Sequence, residues 1–167
     1  MPDLVRTQAS VVVCAAEPVA LDRLASVESA SVLRAAPDEV LLVGRPQEGD
    51  AIVAAATRLV TDADPDAVVL DATDGWTVWT LAGPGRTDAF ERLSTLELPA
   101  DGWVQGRVAG VPAKVVVATD AIHLLFPAMW SEHVRALVWT TCSDLGVHDV
   151  AEPQPWRCPT PEGRVTR

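Results

Sequence analysis

A pattern that occurs twice is the feature that most constrains the fold of this chain. Residues 32–43 read VLRAAPDEVLLV, and residues 114–125, which begin 82 positions later, read KVVVATDAIHLL. Each copy has two apolar runs joined by a short turn that contains an aspartate. Each also precedes a stretch of helical periodicity, at residues 50–60 and 131–142. The repetition predicts one domain built from two related α/β halves.

Composition limits the classes of protein to which the chain can belong. Of its 167 residues 49% are hydrophobic and 22% are charged, which is typical of a globular chain. The net charge of −10 repels phosphate backbones, so we do not expect a nucleic-acid partner. The same charge is compatible with a basic protein partner.

The cysteines and the N-terminal apolar run bear on cellular location. Cys14, Cys142 and Cys158 are an odd number without CxxC spacing, so we expect neither a disulfide framework nor a zinc cluster. The apolar run at residues 11–16 is too short to span a membrane, and only Arg6 precedes it as a basic flank. The sequence therefore predicts a cytoplasmic protein without a membrane partner.

Apolar periodicity predicts an α+β chain of antiparallel hairpins with helices packed on them. We expect Asp50 and Ser131 to cap helices, and Gly83-Pro84-Gly85 to form a turn before another helix. A short helix follows Pro18. Strands are predicted over residues 11–15, 32–35, 40–44, 68–70 (buried), 77–81, 103–109, 114–118 and 122–126.

Breaker residues indicate the organisation of the domain. The run DADPD at residues 62–66 separates the two halves. We expect one domain over residues 1–150, with halves of about 1–62 and 66–150. Residues 151–167, rich in proline, are predicted to be a tail without regular structure, whose Trp156 docks on the domain or on a partner.

Few side chains are candidates for catalysis. His123, His133 and His148 have no metal-ligand spacing, and Gly83-Pro84-Gly85 lacks the pattern of a dinucleotide fingerprint. Glu97, in the apolar run LEL, is a weak candidate for a catalytic base, although exposure on an edge strand explains it more simply. We predict no metal site.

The chain has six tryptophans and no tyrosine. Some of these rings must fill the core, because only two phenylalanines are available. Tryptophan is also enriched among interface anchors. The candidates for partner binding are Trp76, Trp79, Trp103 and Trp156.

Several segments resemble the aminomethyltransferase folate-binding superfamily, to which the glycine-cleavage T-protein and sarcosine oxidase subunits belong. Residues 71–85, DATDGWTVWTLAGPG, resemble its DxS…xxxLxGPxA segment. Four more stretches are similar to the gamma subunit of heterotetrameric sarcosine oxidase: residues 36–42 (APDEVLL, against GPDEWLLL), 93–98 (LSTLEL), 106–113 (GRVAGVPA) and 119–127 (TDAIHLLFP). They follow one another in the family order.

The resemblance implies an accessory, non-catalytic subunit of a flavoenzyme complex that demethylates sarcosine or a related N-methyl amine. It also implies that FAD, FMN, NAD and tetrahydrofolate belong to the larger partner subunits, with none bound by this chain alone. Where the T-protein has an Asn-Asp pair, this chain has Leu96-Glu97, and Val40 replaces the family's tryptophan. The alternative is a stand-alone folate-binding or one-carbon-transfer module in which Glu97 engages the ligand.

Overall fold

The computed structural model describes residues 1–157, which form ten strands and four α-helices. The strands are β1 (Asp3–Gln8), β2 (Ser10–Ala15), β3 (Ala30–Ala36), β4 (Glu39–Gly44), β5 (Val68–Asp71), β6 (Trp76–Ala82), β7 (Gly102–Val108), β8 (Val111–Val117), β9 (Ala121–Pro127) and β10 (His148–Pro155). The helices are α1 (Pro18–Asp22), α2 (Gly49–Thr61), α3 (Arg86–Leu93) and α4 (Ser131–Thr141). No helix within residues 1–157 is long and apolar enough to cross a membrane.

The larger of two compact units contains Met1–Thr7 and Gly75–Gln154. Its six strands form one sheet in the order β10-β1-β6-β9-β8-β7. Helices α3 and α4 cover one face, because strand residues that alternate toward that face are apolar. The core between sheet and helices includes Leu4, Trp79, Leu81, Phe90, Val115, Leu124, Phe126, Val134 and Val138.

The smaller unit contains Gln8–Asp74 and the residues from Pro155 to 157. Its four strands have the order β3-β4-β2-β5, and each pair is antiparallel. Helices α1 and α2 pack on one face of this sheet. Its core includes Val12, Cys14, Leu21, Leu24, Val40, Leu42, Ile52, Ala56 and Val60.

The repeated sequence pattern corresponds to two β-hairpins. Strands β3 and β4 pair antiparallel in the smaller unit, and β8 and β9 do so in the larger. A helix follows each hairpin along the chain, α2 in one unit and α4 in the other. The predicted α+β class with antiparallel sheets and helices packed on them is confirmed.

Two strands are missing from the sequence prediction, and one of them, β10, extends into the predicted tail. Strand β1 pairs with β6, and β10 lies beside β1 at the edge of the larger sheet. The absence of regular structure predicted beyond Ala151 is therefore wrong up to Pro155. Prolines are compatible with an edge strand, because one side of such a strand donates to no neighbour. Cys158, Pro159 and Pro161 lie outside the described residues.

The division between units also differs from the predicted boundary. It falls after Asp74, whereas the breaker run lies at residues 62–66. Strand β5 follows the breaker but pairs with β2, so it belongs with the first half of the chain. Pairing between distant strands decides this boundary, and a local breaker cannot reveal it.

Three local predictions are wrong. Neither α2 nor α4 has a capping hydrogen bond from a side chain: the helices begin at Gly49 and Ser131, so Asp50 lies one residue inside α2. The predicted buried strand β5 exposes Val68 and Leu70.

The predicted turn before α3 is confirmed. Gly83 and Gly85 have positive φ angles of 74° and 82°, which glycine adopts without strain.

Gly44, at the end of β4, provides a test of packing in the smaller unit. A Cβ at this position would overlap the Cδ1 atom of Ile52 and approach the backbone oxygen of Ser29 to 3.2 Å. We expect Gly44→Ala to lower the free energy of unfolding by roughly 1–3 kcal/mol, because Ile52 is fully buried and has little room to move. Urea denaturation measures this change.

Gly75→Ala is the matched control. A Cβ at Gly75 meets no atom within 4 Å, so its effect on stability should stay within about 0.5 kcal/mol. Equal effects of the two substitutions would contradict the packing described for Gly44.

Candidate functional site

The face of the larger sheet opposite its helices carries an unusual group of aromatic and polar side chains. Trp76 of β6 pairs with Pro127 of β9, and Leu125, two residues before Pro127, pairs with Lys114 of β8. Val116, two residues after Lys114, pairs with Trp103 of β7. Since directly paired and alternate residues share a face, Trp76, Lys114 and Trp103 all lie on this side. The Lys114 ammonium group lies 5.2 Å from the centroid of the Trp76 ring, a cation–π distance. Both tryptophans are partly exposed.

A buried polar network lies on the same face. The hydroxyl oxygens of Thr7 and Thr80 are 2.7 Å apart, and the Thr80 hydroxyl lies 2.8 Å from Nδ1 of His123. All three side chains are buried. Burial lowers the pKa of His123 from 6.5 to about 4, against a smaller opposing effect from the charge of Asp120. The imidazole is therefore neutral at physiological pH.

In this network Nδ1 of His123 lies against a threonine hydroxyl rather than a carboxylate or a thiol. Burial raises the pKa of the Cys14 thiol to about 11 and also raises the pKa of Cys142, so both thiols stay protonated. Among the described residues, no group of three or more His, Cys, Asp or Glu side chains could hold a metal ion.

Glu97 lies in the irregular segment between α3 and β7, and its side chain is exposed. The edge-strand position expected from the run LEL is therefore wrong, although the expected exposure is present. An exposed carboxylate lacks the low-dielectric surroundings that prepare a catalytic base. Its role as a base or ligand-binding group remains a prediction.

Two of the four tryptophans predicted to bind a partner are buried in the folded chain. The Trp79 indole packs in the core of the larger unit, where its Nε1–H donates to Ser131 Oγ at 3.2 Å. Trp156 is also fully buried, and its backbone N–H donates to the Gln8 carbonyl at 2.7 Å. This burial corrects the expectation that Trp79 lies on a contact surface. For Trp156 it corresponds to docking on the domain, one of the two alternatives that the sequence left open. Trp76 and Trp103 remain candidates.

Two tryptophans outside the predicted set are more exposed. Trp130 is 37% exposed beside the exposed Met129, and Trp139 is 41% exposed on α4. Trp130 lies in the 3₁₀ turn Ala128–Trp130 directly before α4. Its ring contacts that of His133 edge-on, with the centroids 5.6 Å apart.

Comparisons with known proteins identify the fold. The structure superimposes on a chain of heterotetrameric sarcosine oxidase from Corynebacterium sp. U-96, in complex with pyrrole 2-carboxylate, with a TM-score of 0.70 and 18% identity. The match covers 89% of this chain and 87% of that chain. Aminomethyltransferase T of the glycine cleavage system from Bartonella henselae matches with a TM-score of 0.64 and 14% identity, over 89% of this chain.

This chain spans about half of the aminomethyltransferase, since the match covers 47% of that protein. No protein-family profile and no curated protein matches the sequence. At these identities the comparisons establish that the chain has the fold of the two solved structures.

The buried His123 predicts a specific pH dependence of stability. Between pH 6.5 and about pH 4 the unfolded chain binds a proton at this residue that the folded chain does not. The free energy of unfolding should therefore fall by roughly 3 kcal/mol as the pH decreases through this interval, and the full contribution should be present above pH 6.5. Urea denaturation along a pH series measures it.

His123→Gln provides the comparison, because glutamine keeps polar atoms but does not titrate. The free energy of unfolding of the wild type, measured relative to that of the variant, should decrease as the pH falls toward 4. Parallel pH profiles for the two proteins would show that His123 is not held neutral by burial.

Proposed function

We propose that this chain is a non-catalytic accessory subunit of a heteromeric flavoenzyme of the sarcosine oxidase type. The observation that carries the proposal is the extent of the structural match. The chain corresponds nearly end to end to one chain of a heterotetrameric sarcosine oxidase, with 87% of that chain covered. By contrast, it spans less than half of the aminomethyltransferase. The match therefore includes most of a chain of such a complex.

The side chains at the candidate site support a role without chemistry of its own. The buried imidazole contacts a threonine hydroxyl, and both described cysteines are buried thiols with raised pKa values. We assign the substrate, a sarcosine-like N-methyl amine, to the larger subunits. FAD, FMN, NAD and tetrahydrofolate would also belong to them.

Exposed aromatic residues support contact with other chains. Trp130 and Trp139 each present a large ring to solvent, and Met129 extends the apolar area beside Trp130. Removing such rings from water favours association, and tryptophan is the residue most enriched among energetically dominant interface contacts. We propose these residues as anchors, together with the partly exposed Trp76 and Trp103. We further propose a cytoplasmic location, consistent with the free thiols.

The second candidate function is a folate-binding or one-carbon-transfer module. The arrangement that favours it is the Trp76–Lys114 pair, since an indole can stack on a pterin ring and a lysine can pair with a carboxylate tail. Titration of the isolated protein with tetrahydrofolate, followed by tryptophan fluorescence, tests this function. Glu97→Gln should weaken binding if Glu97 engages the ligand, and an unchanged affinity would remove that role.

Affinity purification of the tagged chain from its native lysate tests the subunit proposal. We expect larger chains in fixed ratio, identified by mass spectrometry, and flavin absorbance in the eluate. The chain purified alone should be colourless and inactive. Recovery of a monomer without flavin would contradict the proposal.

Substitution of the exposed tryptophans extends this test. The double variant Trp130→Ala/Trp139→Ala should reduce recovery of the flavin-bearing chains by about tenfold or more, because truncating anchor residues removes a large share of the binding energy. Val19→Ala is the control, since Val19 is an exposed apolar residue of the smaller unit. Equal recovery with both variants would show that these tryptophans are not anchors.

A further inference from the structure

Strand β5 differs from the other edge strands of the two sheets. The edge strands of the described chain are β10 and β7 in the six-stranded sheet and β3 and β5 in the four-stranded sheet. Natural edge strands carry features that discourage pairing with other chains. Strand β10 contains Pro153 and Pro155, β3 has a bulge near Arg34, and β7 exposes Gln105 and Arg107.

Strand β5 is short and ends in Asp71, but it lacks the prolines of β10 and the bulge of β3. Its register with β2 is regular over all four residues. Val68 is 47% exposed and Leu70 is 57% exposed, on the face opposite α2. Isolated apolar residues at a surface are ordinary, but two at alternate positions of an edge strand form a row that a further strand could cover.

The backbone of β5 presents hydrogen-bonding groups to its open side. The Ala72 N–H donates to the Val11 carbonyl of β2 at 2.8 Å. Because alternate residues of an antiparallel strand face the same neighbour, Leu70 and Val68 also bond toward β2. The N–H and C=O groups of Val69 and Asp71 therefore point to the outer edge, where no strand within residues 1–157 pairs.

The charges around this edge specify the partner. Residues 62–74 contain five aspartates and no lysine or arginine. One of them, Asp62, pairs with Arg23 at 2.8 Å. Asp64 and Asp71 accept hydrogen bonds from the backbone N–H groups of Glu17 and Thr73, at 2.8 and 2.9 Å. A strand laid along β5 would lie between aspartates that precede and follow it.

This charge also argues against pairing between two copies of the chain. Antiparallel pairing of β5 with itself would bring the aspartates of both copies side by side, and like charges opposite one another destabilise a sheet. A strand from a different chain with lysine or arginine near its ends would complement them.

We propose that the outer edge of β5 is a docking site for an extended, basic segment of a partner subunit, which adds a strand to the four-stranded sheet. Main-chain hydrogen bonds to Val69 and Asp71 hold the segment, and its alternate apolar side chains cover Val68 and Leu70. Lysine or arginine residues of the segment pair with the flanking aspartates. The inference rests on the proposed function for the existence of the partner chain.

The first test is hydrogen exchange of the wild-type chain, free and in the purified complex with its flavin-bearing partner. The amides of Val69 and Asp71 should exchange about tenfold more slowly, or slower still, in the complex. Exchange of both amides at the rate of the free chain would overturn the inference.

The second test is the double variant Val68→Lys/Leu70→Lys, with Val19→Lys as the matched control. All three positions are exposed, and Val19, at 73% exposure, lies on α1 of the same unit. Two cations on the edge repel a basic strand, so recovery of the flavin-bearing chains should fall by about tenfold or more, and Val19→Lys should leave it unchanged. Thermal unfolding of each variant shows whether it folds, and the exchange measurement on the wild-type chain decides the question if it does not.

The outcomes separate this inference from the proposed function. Equal recovery with folded Val68→Lys/Leu70→Lys and with wild type would overturn the β5 site and leave the subunit proposal standing. Failure of the wild-type chain to recover any flavin-bearing chain would overturn both.

Discussion

The antiparallel pairing of β6 with β9 is the constraint on which the larger unit depends. Its register sets Trp79 opposite Leu124 and Thr80 opposite His123. Alternation along the strands then sends the first pair toward α3 and α4 and the second pair to the other face. Both faces are buried here, so the polar residues of the second face must satisfy one another. The bonds among Thr7, Thr80 and His123 contribute to this, and burial keeps the imidazole in its neutral form.

Ser131 connects the strands at the centre of that sheet with α4. Its hydroxyl oxygen accepts hydrogen bonds from the Arg6 guanidinium at 3.1 Å and from the Trp79 indole at 3.2 Å. The Arg6 guanidinium carbon lies 5.7 Å from the centroid of the Trp79 ring. This tertiary role replaces the capping role expected of a serine at the start of a helix. It also explains why a tryptophan with a polar N–H group fits in the core.

The acidic surplus of the chain is distributed unevenly. Several arginines are engaged within their own unit: Arg23 and Arg34 pair with Asp62 and Asp22 in one, and Arg92 pairs with Asp144 in the other. Such exposed pairs add little stability, but they reduce the positive charge that the surface presents. The remaining aspartates around β5 leave that edge acidic. A partner that binds there gains from opposite charge as well as from apolar contact.

The sequence alone determined the elements whose signals are local. The two hairpins of the repeated pattern, α2 and α4, and the turn at Gly83 and Gly85 all follow from periodicity and turn chemistry. Together with the resemblance of several segments to the aminomethyltransferase superfamily, they were sufficient to predict the α+β class. Strand β1 was not predicted because its local signal is weak and its partner strand, β6, lies more than 70 residues further along the chain.

Tertiary structure decided which of these residues are accessible. Composition identified tryptophan as the notable residue type, but only strand register and helix packing place Trp79 and Trp156 in the interior and leave Trp130 and Trp139 at the surface. The same holds for β5, whose apolar sequence reads as a buried strand although Val68 and Leu70 face solvent. Residue type specifies the cost of exposure to water, whereas burial depends on contacts between distant segments. The sequence therefore determined the fold class, and the three-dimensional arrangement determined which surfaces this protein can offer to a partner.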